Sequence, residues 1–256
     1  MTKRRKFLIT SFLLSLGFFG IQFLDNRFRI AGIFSLSVIT VLLFFWSLFE
    51  GLGKNMTLVT LILPAFFTCG VGIFWFLLPS SLYARLPIVV FYGFGVYALT
   101  LTMNVFTVGA IRTIALLRAA RGVGFVLTLI TSFLVFNAII SLKIPFWATA
   151  LSISLLSFPL FVQGLWSIVL EKKYQSKPIF LSEISSLVVA EIAICLSFWP
   201  VTLVVGSLFL TVAVYVLLGL GQAELEERLF AQTIKEYLLV GILVFIGMLF
   251  VTHWGG

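Results

Sequence analysis

The sequence predicts an all-α, polytopic membrane protein: a transmembrane helical bundle of about nine spans, with its N-terminus in the cytoplasm and its C-terminus outside. Hydrophobic residues make up 61% of the chain and charged residues only 10%. A soluble domain needs a far more polar surface. Apolar runs of about 20 residues, the length that crosses a bilayer as a helix, follow one another along the chain. The bilayer is therefore the expected solvent.

The apolar runs define the predicted spans in order. They lie at 7–24, 30–49, 56–78, 87–110, 123–141, 146–170, 179–199, 201–221 and 238–253. The first run follows the basic cluster Lys3–Lys6. It is not followed by a small-residue cleavage site, which predicts a retained helix rather than a signal peptide. The seventh and eighth runs meet at Trp199–Pro200 with almost no loop.

The distribution of positive charge sets the predicted orientation, because cytoplasmic loops of membrane proteins are rich in Lys and Arg. With the N-terminus inside, the cytoplasmic positions are Lys3, Arg4, Arg5, Lys6, Lys54, Arg112, Arg118, Arg121, Lys172, Lys173, Lys177, Arg228 and Lys235. The outer positions are Arg27, Arg29, Arg85 and Lys143. This bias predicts a multi-pass protein of the cell inner (plasma) membrane. The net charge of +8 lies in loops, so it does not indicate nucleic-acid binding.

An internal repeat is predicted from matching segments at nearly constant spacing. The hexapeptide of residues 8–13 recurs at 129–134, an offset of 121 residues. Further matches at similar offsets are Trp46 with Trp166, Glu50 with Glu171, Trp75 with Trp199, and Pro79 with Pro200. We expect two parallel four-span repeats, 1–121 and 122–237, followed by a ninth span at 238–256. The alternative is that Leu- and Phe-rich helices resemble one another by composition.

Two amphipathic segments are predicted at equivalent cytoplasmic positions after spans 4 and 8. The first carries Arg112, Arg118 and Arg121, and the second carries Glu224, Glu226 and Glu227. Their opposite charges predict that the segments pair, or that they dock a protein partner. The basic segment alone is equally compatible with binding to anionic lipid headgroups.

Ionisable residues inside predicted spans are candidate functional residues, because a charge in hydrocarbon is costly. Glu191 lies near the predicted midplane of span 7, and Glu183 lies on the same helix. One interpretation is a proton site of a carrier. The other is a protonated carboxyl that hydrogen-bonds a neighbouring helix, with Asn104 or Asn137 as partner.

The remaining composition limits the possible chemistry. The chain has one histidine, His253, and one aspartate, Asp25, and the thiols Cys69 and Cys195 lie in apolar runs. We therefore expect no catalytic dyad or triad, no disulfide, no metal site and no cofactor. The topology resembles that of intramembrane prenyltransferases, whose acidic motifs follow spans 2 and 6. The resemblance extends only to the positions of Glu50 and Glu171, because the Asp-rich pairs that bind Mg²⁺ are missing.

These observations favour a non-catalytic membrane subunit or scaffold. The first alternative is a small transporter that uses Glu191, with or without proton coupling. The second alternative is a lipid-active enzyme. Substrate, partners and oligomeric state stay open.

Overall fold

In hydrocarbon, each backbone N–H and C=O must be bonded within its own segment, so apolar runs of this length fold as helices. The structure is a computed structural model that describes residues 2–53, 57–76, 82–111, 115–170 and 176–252. Nine α-helices lie within these ranges: α1 Lys3–Ile21, α2 Asn26–Leu48, α3 Ile62–Phe76, α4 Leu82–Gly109, α5 Leu117–Ser141, α6 Phe146–Val169, α7 Ser176–Ser197, α8 Leu203–Leu225 and α9 Ala231–Val251. The predicted all-α fold class is confirmed.

Eight helical stretches are long and apolar enough to cross a membrane, and α3 is one of them together with the 3-10 helix Thr57–Leu61 that precedes it. The helix outside this set is α1, whose first residues, 3–6, are all cationic. The apolar remainder of α1, residues 7–21, is about 22 Å long at 1.5 Å per residue. Its side chains Phe7, Leu14 and Phe18 are buried, because α1 packs on α2 and α4.

The spanning helices extend beyond the predicted ends of the apolar runs. Helix α5 begins at Leu117 rather than at 123, α8 ends at Leu225 rather than at 221, and α9 begins at Ala231 rather than at 238. The acidic amphipathic segment is therefore not one helix. Its first residues end α8, Glu227 turns the chain with a φ of 58°, and its last residues begin α9.

The chain divides into two compact units, and the division falls inside α5. Unit 1 comprises Met1–Leu127 with Leu170–Lys173, and unit 2 comprises Thr128–Val169 with Tyr174–Gly256.

Unit 1 is held together by an aromatic and hydroxyl core. The Phe18 ring stacks on Tyr92 at a centroid distance of 4.7 Å and meets the edge of Trp75 at 5.7 Å. The Tyr92 hydroxyl lies 3.0 Å from Thr68 Oγ1, which lies 3.1 Å from Thr40 Oγ1. Hydroxyls bonded in this way connect α2, α3 and α4 without leaving a polar group unsatisfied.

Unit 2 is held together by close helix contacts at small residues. Helix α7 packs against α6 and α8, and α8 also packs against α6 and α9. Gly164 of α6 lies against Leu218 of α8, and Gly219 of α8 lies against the Tyr237 ring of α9. Small residues at these positions let the helix backbones approach, as is typical of membrane helix pairs.

Candidate functional site

Helix α7 has a buried face of small residues. Ser182, Ser185, Ser186, Ala190 and Ala193 are buried within unit 2. The hydroxyls of Ser182 and Ser186 donate to the backbone carbonyls of Pro178 and Glu183 of the same helix. These serines therefore serve close packing of α7 and lie on a different face of the helix from the two acids.

The acids Glu183 and Glu191 lie on the outward face of α7. Nine residues separate Ser182 from Glu191, which is a rotation of about 180° at 100° per residue. The acids share this face with exposed apolar side chains: Phe180, Ile184, Leu187, Ile194 and Phe198. A face built of phenylalanine, leucine and isoleucine is typical of contact with lipid or with another helix. We refer to it below as the α7 outer face.

The depth of the two acids follows from the observed ends of α7. The helix has 22 residues, so Glu183 lies about 5 Å and Glu191 about 7 Å from its centre, on opposite sides. The sequence analysis placed Glu191 alone near the midplane. The structure instead gives two acids that flank the centre of one outward face, each several ångströms inside a hydrocarbon core of about 30 Å.

The two intramembrane asparagines have different surroundings. Asn137 is buried in unit 2, and its Nδ2 donates to Ser207 Oγ at 3.1 Å, which links α5 to α8. This bond is an interhelical polar contact of the kind that stabilises membrane bundles. Asn104 belongs to unit 1, where its side chain makes no hydrogen bond to the described residues.

Asn104 and Glu50 line one polar cleft at an end of unit 1. The Lys3 ammonium lies 2.9 Å from a Glu50 carboxylate oxygen, which places the start of α1 beside the end of α2. The hydrogen bond and charge of Lys3 hold the pKa of Glu50 below 4.5. The cleft has a volume of about 280 Å³. Its polar lining comprises Lys3, Ser47, Glu50, Gly51, Asn104 and Thr107. The cleft therefore offers a polar ligand one ion pair, Lys3 with Glu50, and the side-chain amide of Asn104.

The predicted pairing of a basic with an acidic segment concerns charged residues at the start of α5 and the end of α8. Arg118 and Arg121 lie in the first two turns of α5. Glu224 accepts a hydrogen bond from Lys177 Nζ at 2.7 Å, and a Glu226 carboxylate oxygen lies 3.8 Å from Arg228 Nη1. The pairing of the basic with the acidic segment stays a prediction. The sequence-selected residues Lys54, Arg112, Glu171, Lys172, Lys173 and His253 lie outside the described ranges.

The sequence analysis missed a second cleft, which lies in unit 2. Its volume is about 450 Å³, and it lies among the ends of α5, α6, α7 and α8. Lys143, which follows α5, lies at this cleft, and Gly206 of α8 forms part of its wall. No motif of the sequence marks this cleft, because its lining comes from four separate helix ends. Across the described residues, no group of three or more His, Cys, Asp or Glu side chains is arranged to hold a metal ion.

The long apolar helices define the chain as a multi-pass helical membrane protein. Residues 47–251 match the sequence family described as "Protein of unknown function (DUF5656)", and the chain belongs to this family. No curated protein and no solved structure matches the chain.

Proposed function

We propose that this protein is a non-catalytic membrane subunit that binds a transmembrane helix of another protein through the α7 outer face. The observation that carries the proposal is the outward position of both Glu183 and Glu191 within an otherwise apolar face. Neither carboxylate has a hydrogen bond or ion pair to the described residues.

The cost of this arrangement in bare lipid supports the proposal. An acidic side chain at the centre of a lipid-facing helix costs about 2.5–3.5 kcal/mol, judged from aspartate. Protonation removes the charge but leaves a carboxyl group without a hydrogen-bond partner in hydrocarbon. Two such residues on one face add to this cost. A partner helix that supplies donors at the same depth removes it, because both carboxylates then gain hydrogen bonds or opposite charges.

Charge complementarity indicates what the partner helix carries. We infer a helix with a Lys or Arg side chain in its membrane-spanning part. A second copy of this chain fits less well, since a two-fold axis along the membrane normal would place each acid opposite its own copy. The described Lys and Arg residues of this chain lie outside the helices or in their first two turns, so they do not reach this depth.

The proposal is tested by photo-crosslinking in the native membrane. The substitution Leu187→p-benzoylphenylalanine places the probe between the two acids on the α7 outer face. Leu155 of α6, which is also exposed, receives the same probe as a matched control. We expect one protein to be crosslinked at position 187 and not at 155. The crosslinked peptide should come from a transmembrane segment that contains a Lys or Arg.

A charge exchange then decides whether the acids carry the contact. Glu183→Leu with Glu191→Leu should abolish the crosslink while the chain stays folded, because leucine is well tolerated in a lipid-facing helix. Glu191→Lys combined with a Lys→Glu change in the partner should restore it. Crosslinks only to lipid, or only to a second copy of this chain, would overturn the proposal.

A further inference from the structure

The cleft of unit 2 combines one cation at its mouth with an apolar inner end. Lys143 is exposed, and its ammonium makes no ion pair with the described residues. Thr202 lies near it at the start of α8. Ile153 and Leu210, both with 0% exposure, close the inner end as its floor. The apolar side chains open to an occupant above this floor are Ile140, Ile144 and Leu203.

The helix geometry shows how deep the cleft extends. Ile153 lies seven residues after the first residue of α6, and Leu210 lies seven residues after the first residue of α8. Seven residues correspond to about 10 Å along a helix. The cleft therefore extends from a charged mouth into apolar side chains over about 10 Å. Its volume of 450 Å³ falls in the range of about 300–1,000 Å³ that is typical of ligand pockets.

Aromatic residues place the mouth at a membrane–water interface. Phe146, Trp147 and Phe198 are exposed around the ends of α6 and α7, and Trp199 lines the cleft. Tryptophan and other aromatic residues are enriched where membrane helices leave the hydrocarbon. A headgroup at this level meets Lys143, and a chain that continues inward meets the apolar end.

We propose that this cleft binds one phospholipid with an anionic headgroup. The Lys143 ammonium pairs with the headgroup phosphate, and one acyl chain lies in the cleft against Ile140, Ile144 and Leu203, over the closed floor of Ile153 and Leu210. The occupant must be amphipathic, because a free anion would leave the apolar end empty and a neutral hydrocarbon would leave the ammonium unpaired. The cleft and the α7 outer face share Phe198, which follows α7, but Ala193 and Leu196 of the cleft lie on the packed side of the helix, away from Glu183 and Glu191.

Native mass spectrometry of the full chain tests the proposal. The protein is released from nanodiscs that contain equal amounts of palmitoyl-oleoyl phosphatidylglycerol and palmitoyl-oleoyl phosphatidylcholine. We expect one retained lipid per chain, with phosphatidylglycerol enriched about fivefold over phosphatidylcholine. The attraction between one cation and an anionic lipid gives an enrichment of about this size. Lys143→Gln should retain one lipid but lose the enrichment, because the charge is removed and the apolar end is unchanged.

A cleft-filling variant tests the acyl-chain part. A Cβ at Gly206 would lie 3.5 Å from Val201 and 3.9 Å from Ile140, so a side chain there fits and projects into the cleft. Gly206→Leu should therefore lose the retained lipid. Gly247→Leu adds the same side chain to α9 in open space and should behave like the wild type.

The outcomes separate support from failure. The proposal is overturned if the wild type retains no lipid, if it retains both lipids equally, or if Gly206→Leu retains as much as Gly247→Leu. If Gly206→Leu does not fold, the wild type is labelled with a phosphatidylglycerol that has a diazirine at one chain end. Labelling of peptides containing Ile153 or Leu210 supports the proposal, and labelling confined to other peptides overturns it.

Discussion

In unit 1, the ends of α1, α2 and α3 leave only a small cavity beside Trp75, whereas in unit 2 the ends of α5, α6, α7 and α8 leave an open cleft beside Trp199. The cavity beside Trp75 has a volume of about 20 Å³, whereas the cleft beside Trp199 has about 450 Å³. At the offset of 121 residues predicted for the internal repeat, Gln22 of the smaller cavity corresponds to Lys143 of the larger cleft. The difference concerns how far side chains fill the space between neighbouring helix ends.

Aromatic side chains explain the filled region. Phe18 stacks on Tyr92 and meets the edge of Trp75, and Gly72 lets Ile33 pack closely against α3. In unit 2, the position 121 residues after Phe18 is Ile139, which has no ring to extend across the space. A few large residues thus decide whether neighbouring helix ends enclose a ligand-sized space. Either region should be convertible toward the other by single substitutions.

The largest expected effect comes from opening the filled region with Phe18→Ala. The substitution removes a side chain with 3% exposure and leaves a cavity. We expect a loss of about 3 kcal/mol in the free energy of unfolding, near the lower end for Phe→Ala. The lower end applies because Phe18 stays in lipid when the helices of unit 1 separate. The substitution therefore removes packing contacts, and transfer of the side chain from water contributes little to the change in free energy.

Reversible unfolding in mixed detergent micelles measures this effect. Phe12→Ala is the matched control, since Phe12 lies on the same helix with 67% exposure and should change stability by much less. Equal losses for Phe12→Ala and Phe18→Ala would show that the aromatic core does not hold unit 1 together.

The next expected effect on stability is smaller. It concerns Gly72, which lines the cavity beside Trp75, and Gly206, which lines the cleft beside Trp199. At Gly72, an added Cβ would lie 2.6 Å from Ile33, whose β-branched side chain cannot rotate away easily. Gly72→Ala should therefore cost about 1–2 kcal/mol through overpacking. At Gly206, the nearest atom to an added Cβ is 3.5 Å away.

Gly206→Ala should be neutral or stabilising by up to about 1 kcal/mol, because alanine favours a helix over glycine. The same unfolding assay compares the two variants directly. If Gly206→Ala is as damaging as Gly72→Ala, the region around Gly206 is not an open cleft.

The sequence predicted the helices well but not their ends. Apolar runs identify membrane helices because backbone groups in lipid have no other partner. Hydropathy falls where Arg118, Glu224 or Lys235 enters the chain, and the predicted spans stop there. The backbone bonding continues into the membrane interface, where charged side chains are hydrated. For this reason the residues assigned to separate amphipathic segments lie at the ends of α5, α8 and α9.

The orientation of side chains was harder to predict than the helices. Helix α7 carries polar residues on both faces, serines on the packed one and acids on the outer one, so its hydropathy does not distinguish the two faces. Its serines and alanines at 182, 185, 186, 190 and 193 form a stripe of small residues, which is the usual signal of a packing face in membranes. That stripe places Glu191 outward. The unit 2 cleft left no comparable signal, because its volume depends on side chains from four separate helix ends.

The smallest expected effect concerns the ion pair of Lys3 and Glu50, which lies at the polar end of unit 1. The folded-state pKa of Glu50 is below 4.5, first because Lys3 donates a hydrogen bond and supplies positive charge, and to a lesser extent because Lys6 is near. A carboxyl with a lowered pKa contributes stability that is present above its unfolded pKa. That contribution is lost as the pH falls through the folded pKa.

Carboxyl carbon NMR of a Glu-labelled sample measures the titration of Glu50. Lys3→Ala should raise the pKa of Glu50 toward 4.5, and Lys6→Ala should raise it less, because Lys6 acts only through its charge. Added salt should reduce both differences, since the pair is exposed and ions screen it. An equal shift from the two substitutions would mean that the general positive charge of residues 3–6, rather than the Lys3 hydrogen bond, sets the ionisation of this cleft.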